Sequence, residues 1–427
     1  PYYDKVKEYA WIESRDIWDY RLQLSARQRN RLMAHLWALQ GVHFTYYFLS
    51  RNCSYQLLAL LQAAMPKLQL VEQFDLYALP ADTIRALAAV PGLLGHAGYR
   101  PALATTLASH ARTMSQQALA IAIALARGQA EPDGRRVQTL PPQTRARVLE
   151  LAHDYLYYRH LGGAYSAELT RTRAGAILLA RSRITTHANW PQVPAPDTPP
   201  HAGHESRRIA LTSAWGATGF HLGVDFRLAY HGLLDPPGGY VGGAGVKLFD
   251  IALRLDPNAQ GHALQLAHLT LIDLVSISPR GPFFKPLSWR LSTGLRQRPI
   301  AAPFHPDAHL GFYLQGGPGL AWGSLDTITW YSFALLSADL NHGFDQGYAV
   351  AGGASAGLLA YPLAGWQIKA EAGLLENAIG DDGHRAWLRL AQQWPLIGAW
   401  QLRLGLGWYG TARDDHARAA LGLATYF

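Results

Sequence analysis

Phe220-His-Leu-Gly-Val-Asp-Phe-Arg-Leu-Ala-Tyr230 alternates with a period of two. Phe220, Leu222, Val224, Phe226, Leu228 and Tyr230 fall on one face, and His221, Gly223, Asp225, Arg227 and Ala229 on the other. Successive strand side chains point to opposite sides, so this is a strand with one bulky apolar face and one small or charged face. The pattern recurs at Trp289–Arg296, Trp366–Leu374 and Trp400–Tyr409. Extended in both directions, it predicts strands starting near 207, 219, 240, 262, 286, 309, 327, 347, 365, 384, 399 and 417. Tight turns fall at Gly323–Asp326, Pro362–Gly365 and Pro395–Gly398, while Gly316-Gly-Pro-Gly319 and Gly352-Gly353 lie inside strand patterns and mark bends or close packing. Aromatics close several apolar faces, as membrane-interface girdles do, and the opposite faces pair Lys with Glu and Arg with Asp. A soluble antiparallel barrel or sandwich shares the period, but its bulk lies inside and its charge outside. The expected fold class is therefore α+β multidomain. A mostly helical N-terminal domain spans 1–185, a Pro-rich linker 186–206, and an antiparallel transmembrane β-barrel of about 12 strands 207–427. Trp289, Trp400 and Trp408 should face lipid, and Arg290, Arg296, Lys369, Glu371, Arg389 and Arg403 the lumen. An even strand number returns the C-terminus to the side of the N-terminal domain. The last strand ends on Phe427, as outer-membrane strands typically end on an aromatic.

Composition agrees. Half the residues are hydrophobic and 16% are charged, yet no run of about 18 apolar residues occurs, so a transmembrane helix is not expected. The net charge of +8 is spread along the chain, which argues against nucleic acid as a partner and modestly for anionic lipid headgroups. Without Cys pairs, HExxH or an Asp-rich loop, no metal is expected; there is no Walker motif and no cofactor is expected, and no Gly-x-Ser-x-Gly serine elbow occurs. The chain has no initiator Met and no signal-peptide pattern, the expectation for a mature product or fragment.

The N-terminal part reads as helices. Ser25 caps one carrying Leu32, Leu36 and Leu39, and Pro80-Ala-Asp-Thr opens another with Ile84, Leu87 and Val90. Thr105–Ala126, without Pro or Gly, reads as one helix; Pro141–Leu161 and Ser166–Ser182 follow, with little strand character anywhere. His187–His201 carries five prolines and reads as an extended, semi-rigid linker.

Phe44-Thr-Tyr-Tyr-Phe-Leu-Ser-Arg-Asn-Cys-Ser-Tyr-Gln-Leu-Leu-Ala-Leu-Leu61 holds the chain's one cysteine, Cys53. Tyr46–Leu49 reads as a short buried aromatic segment, after which a helix starts, with Cys53, Leu57, Leu60 and Ala64 on one face. Asn52 is a good N-cap, so Cys53 would sit in the first turn, where free N–H groups and the helix dipole favour thiolate. The alternative is a small buried hydrophobe. His43 is the candidate base nearest in sequence, with His35 close by, and Asn52 would orient or cap. His221 and His268 are candidate barrel histidines for serine chemistry or plain lumen polar groups. His204, Arg207 and Arg208 at the barrel entrance would bind phosphate headgroups or anchor the interface.

The run Tyr46–Gln56 with its leucine-rich continuation resembles the asparagine-cysteine motif of Lnb-type proteins, whose periplasmic domain is associated with lipoprotein N-acyl transfer. That domain is similar to a circularly permuted papain-like, NlpC-type fold. The resemblance continues through Lys7-Glu-Tyr9, Arg15–Tyr20 and Leu79–Arg85. Weaker matches follow at Gly203–Arg208, His231–Tyr240, Ser278-Pro-Arg280 and Ser288-Trp-Arg290, as in longer proteobacterial members with a C-terminal domain. The resemblance implies an outer-membrane protein with a periplasmic N-terminal domain and Cys53 as nucleophile of an acyltransferase or lipid hydrolase. The implied partners are membrane lipids (phospholipid, with lipopolysaccharide on the outer face) and a lipoprotein substrate. In that family the partner histidine lies in a Gly-His strand well upstream of the cysteine. Only 52 residues precede Cys53 here, so the expectation is a site completed by an upstream segment or a second chain. A papain-like cell-wall amidase and a non-catalytic barrel with a periplasmic plug or adaptor are the other readings.

Overall fold

The computed structural model describes residues 8–256, 264–298, 309–411 and 415–427. The chain forms two compact units, Pro1–Pro199 and Pro200–Phe427. The N-terminal unit is helical with a small sheet, and the C-terminal unit is a closed barrel of twelve antiparallel strands.

In the N-terminal unit, β1 (Ile17–Leu22) pairs antiparallel with β2 (Leu94–Arg100), Trp18 opposite Tyr99. This sheet corrects the expectation of little strand character. Its two strands lie far apart in sequence, and Gly95 and Gly98 dilute the local signal of β2. Asp16 fastens it: its carboxylate accepts from Tyr99 Oη at 2.9 Å, the Ala102 amide at 2.7 Å and Thr105 Oγ1 at 2.8 Å. Burial, with Asp16 beside it, pushes the Tyr99 phenol far above its ordinary value.

Helix α1 (Ala26–Ala38) opens with a capping box between Ser25 and Gln28, and no α1 residue is buried. Helix α2 (Cys53–Ala64) buries Ser54, Leu58, Leu61 and Ala64. Those leucines pack with Met65, Leu70, Leu87 of α3 (Pro80–Ala88) and Leu93. The expected face through Cys53 and Leu57 is therefore one residue out of phase. The run Leu57–Leu61 is apolar on nearly every side, so periodicity alone cannot choose the face. Tyr46, Tyr47, Phe48 and Leu49, expected buried, are exposed.

The expected single helix over Thr105–Ala126 is two, α4 (Leu103–Arg112) and α5 (Gln116–Arg127), because Ser115 turns its hydroxyl onto the Ala118 amide and starts a new helix. Helix α6 (Pro142–Leu161) supplies the second core, burying Val148, Leu149, Leu151 and Leu156, with α7 (Ala167–Ser182) packed against it. The proline-rich segment is docked at its start. Arg147 of α6 donates to Ala188 O at 2.7 Å and Asn189 O at 2.8 Å. Trp190 stacks on His110 at 4.0 Å and donates to Glu150 at 2.8 Å.

The barrel strands are β3 (Arg208–Gly216), β4 (Gly219–His231), β5 (Ala244–Leu255), β6 (Leu264–Ser276), β7 (Ser288–Arg298) and β8 (His309–Gly323). They continue as β9 (Ile328–Leu340), β10 (Tyr348–Leu363), β11 (Trp366–Gly380), β12 (His384–Pro395), β13 (Gln401–Thr411) and β14 (Asp415–Tyr426). Each pairs with its sequence neighbours, and β14 closes on β3 with Tyr426 opposite Arg208. The expected start near 262 falls outside the described residues, and β6 is described from Leu264. Phe220, Leu222, Val224, Trp289, Trp400 and Trp408 are exposed on the outer wall, while Arg227 is 1% exposed inside. Gly317 and Gly353 mark close strand approach: a β-carbon at either would lie 1.9 Å from Ala334 O or 2.0 Å from Leu374 O. An apolar outer wall around a charged interior is the arrangement that lipid requires.

Candidate functional site

Cys53 is an exposed free thiol at the first position of α2. Asn52, 6% exposed, builds the turn beneath it. Its Oδ1 accepts from the Ser54 amide at 3.1 Å, the Tyr55 amide at 3.2 Å and Ser54 Oγ at 2.7 Å. Its Nδ2 donates to Ala78 O at 2.7 Å and Phe48 O at 3.1 Å. Every polar group of the Asn52 side chain is thus engaged in holding the helix start against two neighbouring segments. Leu57, one turn on from Cys53, is exposed beside it, as are Tyr47 and Phe48 just upstream. His43 is exposed, and among the described residues no imidazole is hydrogen-bonded to Cys53.

The second concentration of chemistry lies in the barrel, in three groups along its axis. At the end that carries both termini, Asp235 is ion-paired with Arg227 of β4 at 2.5 Å and accepts from Arg403 of β13 at 2.6 Å and Tyr426 of β14 at 2.9 Å. Its main-chain oxygen takes Gln367 Nε2 of β11 at 2.8 Å. The loop after β4 therefore reaches across the lumen. Farther in, Glu371 pairs with Arg290 at 3.3 Å and Lys369 at 3.4 Å, and accepts from Tyr331 and Trp387. Near the far end, Asp339 is shared by Arg296, Arg298 and Arg385. The lumen placement of Arg290, Arg296, Lys369, Glu371 and Arg403 was readable from strand alternation. Asp235 was not, because it lies in a loop.

The weaker motifs meet at the same mouth. His204 Nε2 is 2.9 Å from His231 Nδ1, and Tyr240 Oη donates to His204 O at 2.7 Å. The Ser278 amide donates to Ser288 Oγ at 3.0 Å. Ligand atoms of His204, His231 and Asp235 lie within 4.8 Å of one another. Both Asp235 oxygens are held by guanidinium groups, so the set suits a cation poorly. Arg208, expected to meet headgroups or anchor the interface, is instead a buried lumen side chain 3.9 Å from Asp250. Arg207 exchanges main-chain bonds with Phe427. His221 is buried in the barrel, and His268 Nε2 lies 3.9 Å from Asp250.

Residues 197–426, more than half of the chain, match the family model of a domain of unknown function, DUF7840. The chain belongs to that family. Residues 1–90 match the Lnb N-terminal periplasmic domain, and residues 97–193 a second domain of unknown function, DUF7842. No curated protein matches. Among solved structures, LpxR from Salmonella typhimurium is similar at 13% identity and TM-score 0.30, covering 52% of this chain and 100% of that one. The translocator domain of the autotransporter NalP from Neisseria meningitidis is similar at 13% and 0.29, covering 53% and 90%. The KdgM porin in complex with disordered oligogalacturonate is similar at 8% and 0.31, covering 52% and 99%.

This DUF7840 member is an outer-membrane barrel with an Lnb-type periplasmic region at its N-terminus. With twelve strands, Arg208 and Tyr426 lie at the same, periplasmic, end of the barrel. Within the Lnb-type match, Arg15–Tyr20 holds β1 and the Asp16 clasp, and Leu79–Arg85 opens α3. Lys7, from the first quoted motif, lies outside the described residues.

Proposed function

We propose that this protein is an outer-membrane-anchored, cysteine-dependent acyltransferase or lipid hydrolase acting on phospholipid and lipoprotein at the periplasmic leaflet. The observation that supports this reading is that the Lnb-type match falls on an exposed Cys53 at a capped helix start. The exposed Leu57, Tyr47 and Phe48 favour an acyl chain over the polar peptide of a cell-wall amidase.

In this proposal the Cys53 thiolate attacks the carbonyl carbon of a phospholipid acyl ester. A thioester forms, the ester C–O bond breaks, and the lysophospholipid alcohol leaves with the proton taken from the thiol. A lipoprotein amine or water then attacks the thioester, gives up a proton and restores the thiol. Asn52 positions the helix start, whose dipole stabilises the negative charge. The proton carrier is an imidazole: His43 within this chain, or one from a second chain. The adaptor reading would be favoured if no imidazole approached Cys53 even with a partner chain present.

The test is to incubate the full chain with a fluorescent-acyl phospholipid and look for a hydroxylamine-labile label. Where His43 or a second chain supplies the imidazole, the label should appear on the wild type and vanish in Cys53→Ser. Wild-type protein that acquires no label, with a Cys53 that resists alkylation at neutral pH, would overturn the reading.

A further inference from the structure

The barrel half remote from the termini holds a cavity of about 570 Å³. Its wall carries more positive charge than its own carboxylates neutralise. Asp339 of β9 is shared by three arginines: Arg296 at 2.8 Å, Arg385 at 3.0 Å, and Arg298. Arg389 and Arg418 also line the cavity; among the described residues neither has a carboxylate within ion-pair distance, and Glu371 and Asp225 act on them only from farther off. The other strand carboxylates nearby have basic neighbours of their own: Asp225 lies 2.8 Å from Arg254, and Asp250, which lines the cavity, lies 3.9 Å from Arg208 and from His268. Glu371 pairs with Arg290 and Lys369, and Asp273 with Lys247 at 2.6 Å. At the rim, Asp381 accepts the Asp345 and Gln346 amides at 2.8 and 2.7 Å.

Aromatic rings hold these arginines in place. The Arg296 guanidinium lies 4.1 Å from the Tyr313 ring centre, and that of Arg389 lies 5.0 Å from Tyr409 and 5.6 Å from Trp387. Buried Nε atoms of Arg385, Arg389 and Arg418 have no hydrogen-bond partner among the described residues, and neither has Asn377 Oδ1. Uncompensated guanidinium groups in a low-dielectric lumen are costly unless an anion completes them. Their planar forks fit phosphate and carboxylate. Ser292, Gln315 and Asn377 add neutral hydrogen-bonding groups to the same wall. The loop that Asp235 clamps reaches across the opposite end of the lumen.

From this geometry we infer that the cavity binds an anionic sugar carrying two or more phosphate or carboxylate groups. Arg389 and Arg418 engage one acidic group, and the arginines around Asp339 engage another. The hydroxyls meet the neutral polar side chains, and the ring rests on aromatic faces.

Isothermal titration of the full chain in nonionic micelles tests this, with glucose bisphosphate as probe and glucose as the neutral control. Saturable binding of the bisphosphate alone is expected. The double variant Arg389→Gln with Arg418→Gln should weaken it by about tenfold or more, while the Lys pair should retain most of it. A phosphorylated glycolipid added to the micelles distinguishes the sources: tighter binding than the free bisphosphate identifies a lipid headgroup, and equal or weaker binding a soluble sugar. Wild-type protein that binds bisphosphate no better than glucose overturns the inference, as does a Gln pair that keeps wild-type affinity and the heat-modifiable gel mobility of a folded barrel. Should the Gln pair not fold, the wild-type comparison decides alone.

Discussion

Asp235, in the loop after β4, accepts a hydrogen bond from Arg403 of β13 at 2.6 Å, tying that loop across the mouth of the barrel. The same carboxylate holds Arg227, which is 1% exposed. Burial raises the Asp235 carboxyl, but Arg227 and Arg403 together hold it well below the usual carboxylate range. A depressed carboxylate contributes stability above its unfolded value, near 3.8, and loses it only as pH falls through the lower folded value. The clamp should therefore stay closed across neutral and mildly acidic pH. Asp235→Ala removes one partner and strands two buried guanidinium groups, a loss of about 3–5 kcal/mol. Thermal loss of heat-modifiable mobility should come at clearly lower temperature in the variant; an unchanged midpoint would count against the clamp.

That loop also bears on conduction. In planar bilayers the wild-type protein should show no stable open level. Asp235→Arg, which sets a third cation against Arg227 and Arg403, should release the loop and produce channel events. Steady conductance by the wild type would show that the mouth is open.

Leu406, in the middle of β13 and exposed on the outer wall, tests the membrane assignment. Leu406→Arg should cost about 2–4 kcal/mol near the bilayer midplane, where Leu406→Ala should cost far less. Folding yield into lipid vesicles reads the difference.

Asn52→Ala should destabilise the N-terminal unit by about 2 kcal/mol, the upper end for a cap, because the buried Ala78 carbonyl and the part-buried Phe48 carbonyl lose their donor as well. Asn52→Asp keeps the cap acceptor but not that donor, so it should recover only part of the loss. Melting of the helical circular dichroism signal measures this, and the Cys53 alkylation rate should change in parallel. A rate identical in all three proteins would separate the thiol from its helix start.

His110 gives the N-terminal unit a pH response. Burial under Trp190 lowers its pKa from the ordinary 6.5, against the opposing pull of Asp154 and Glu150. The folded state binds the proton less readily than the unfolded one, so docking of Trp190 is at full strength above 6.5 and weakens as pH falls below it. Protease cleavage within 186–199 should therefore accelerate on acidification from pH about 7.5 to about 5. His110→Phe should keep the stacking and flatten the response.

Much of the barrel was determined by sequence alone. The period of two, with bulk on one face and charge on the other, names the strands, their lipid sides and the lumen positions of Arg290, Glu371 and Arg403. A strand has only two faces, so alternation leaves no third choice. The cap at Asn52 and the position of Cys53 were local too, since an N-cap acts within four residues. What tertiary structure decided is everything that depends on distance along the chain. The buried face of α2 went to Leu58 and Leu61 because an all-round apolar helix takes its face from its neighbours. The β1–β2 pairing, the docking of Trp190 on His110 and the reach of Asp235 to Arg403 each join residues that no local period relates. The excess of arginine around Asp339 appears only once three strands converge on one volume, because charge balance in a lumen is a sum over space and not over sequence.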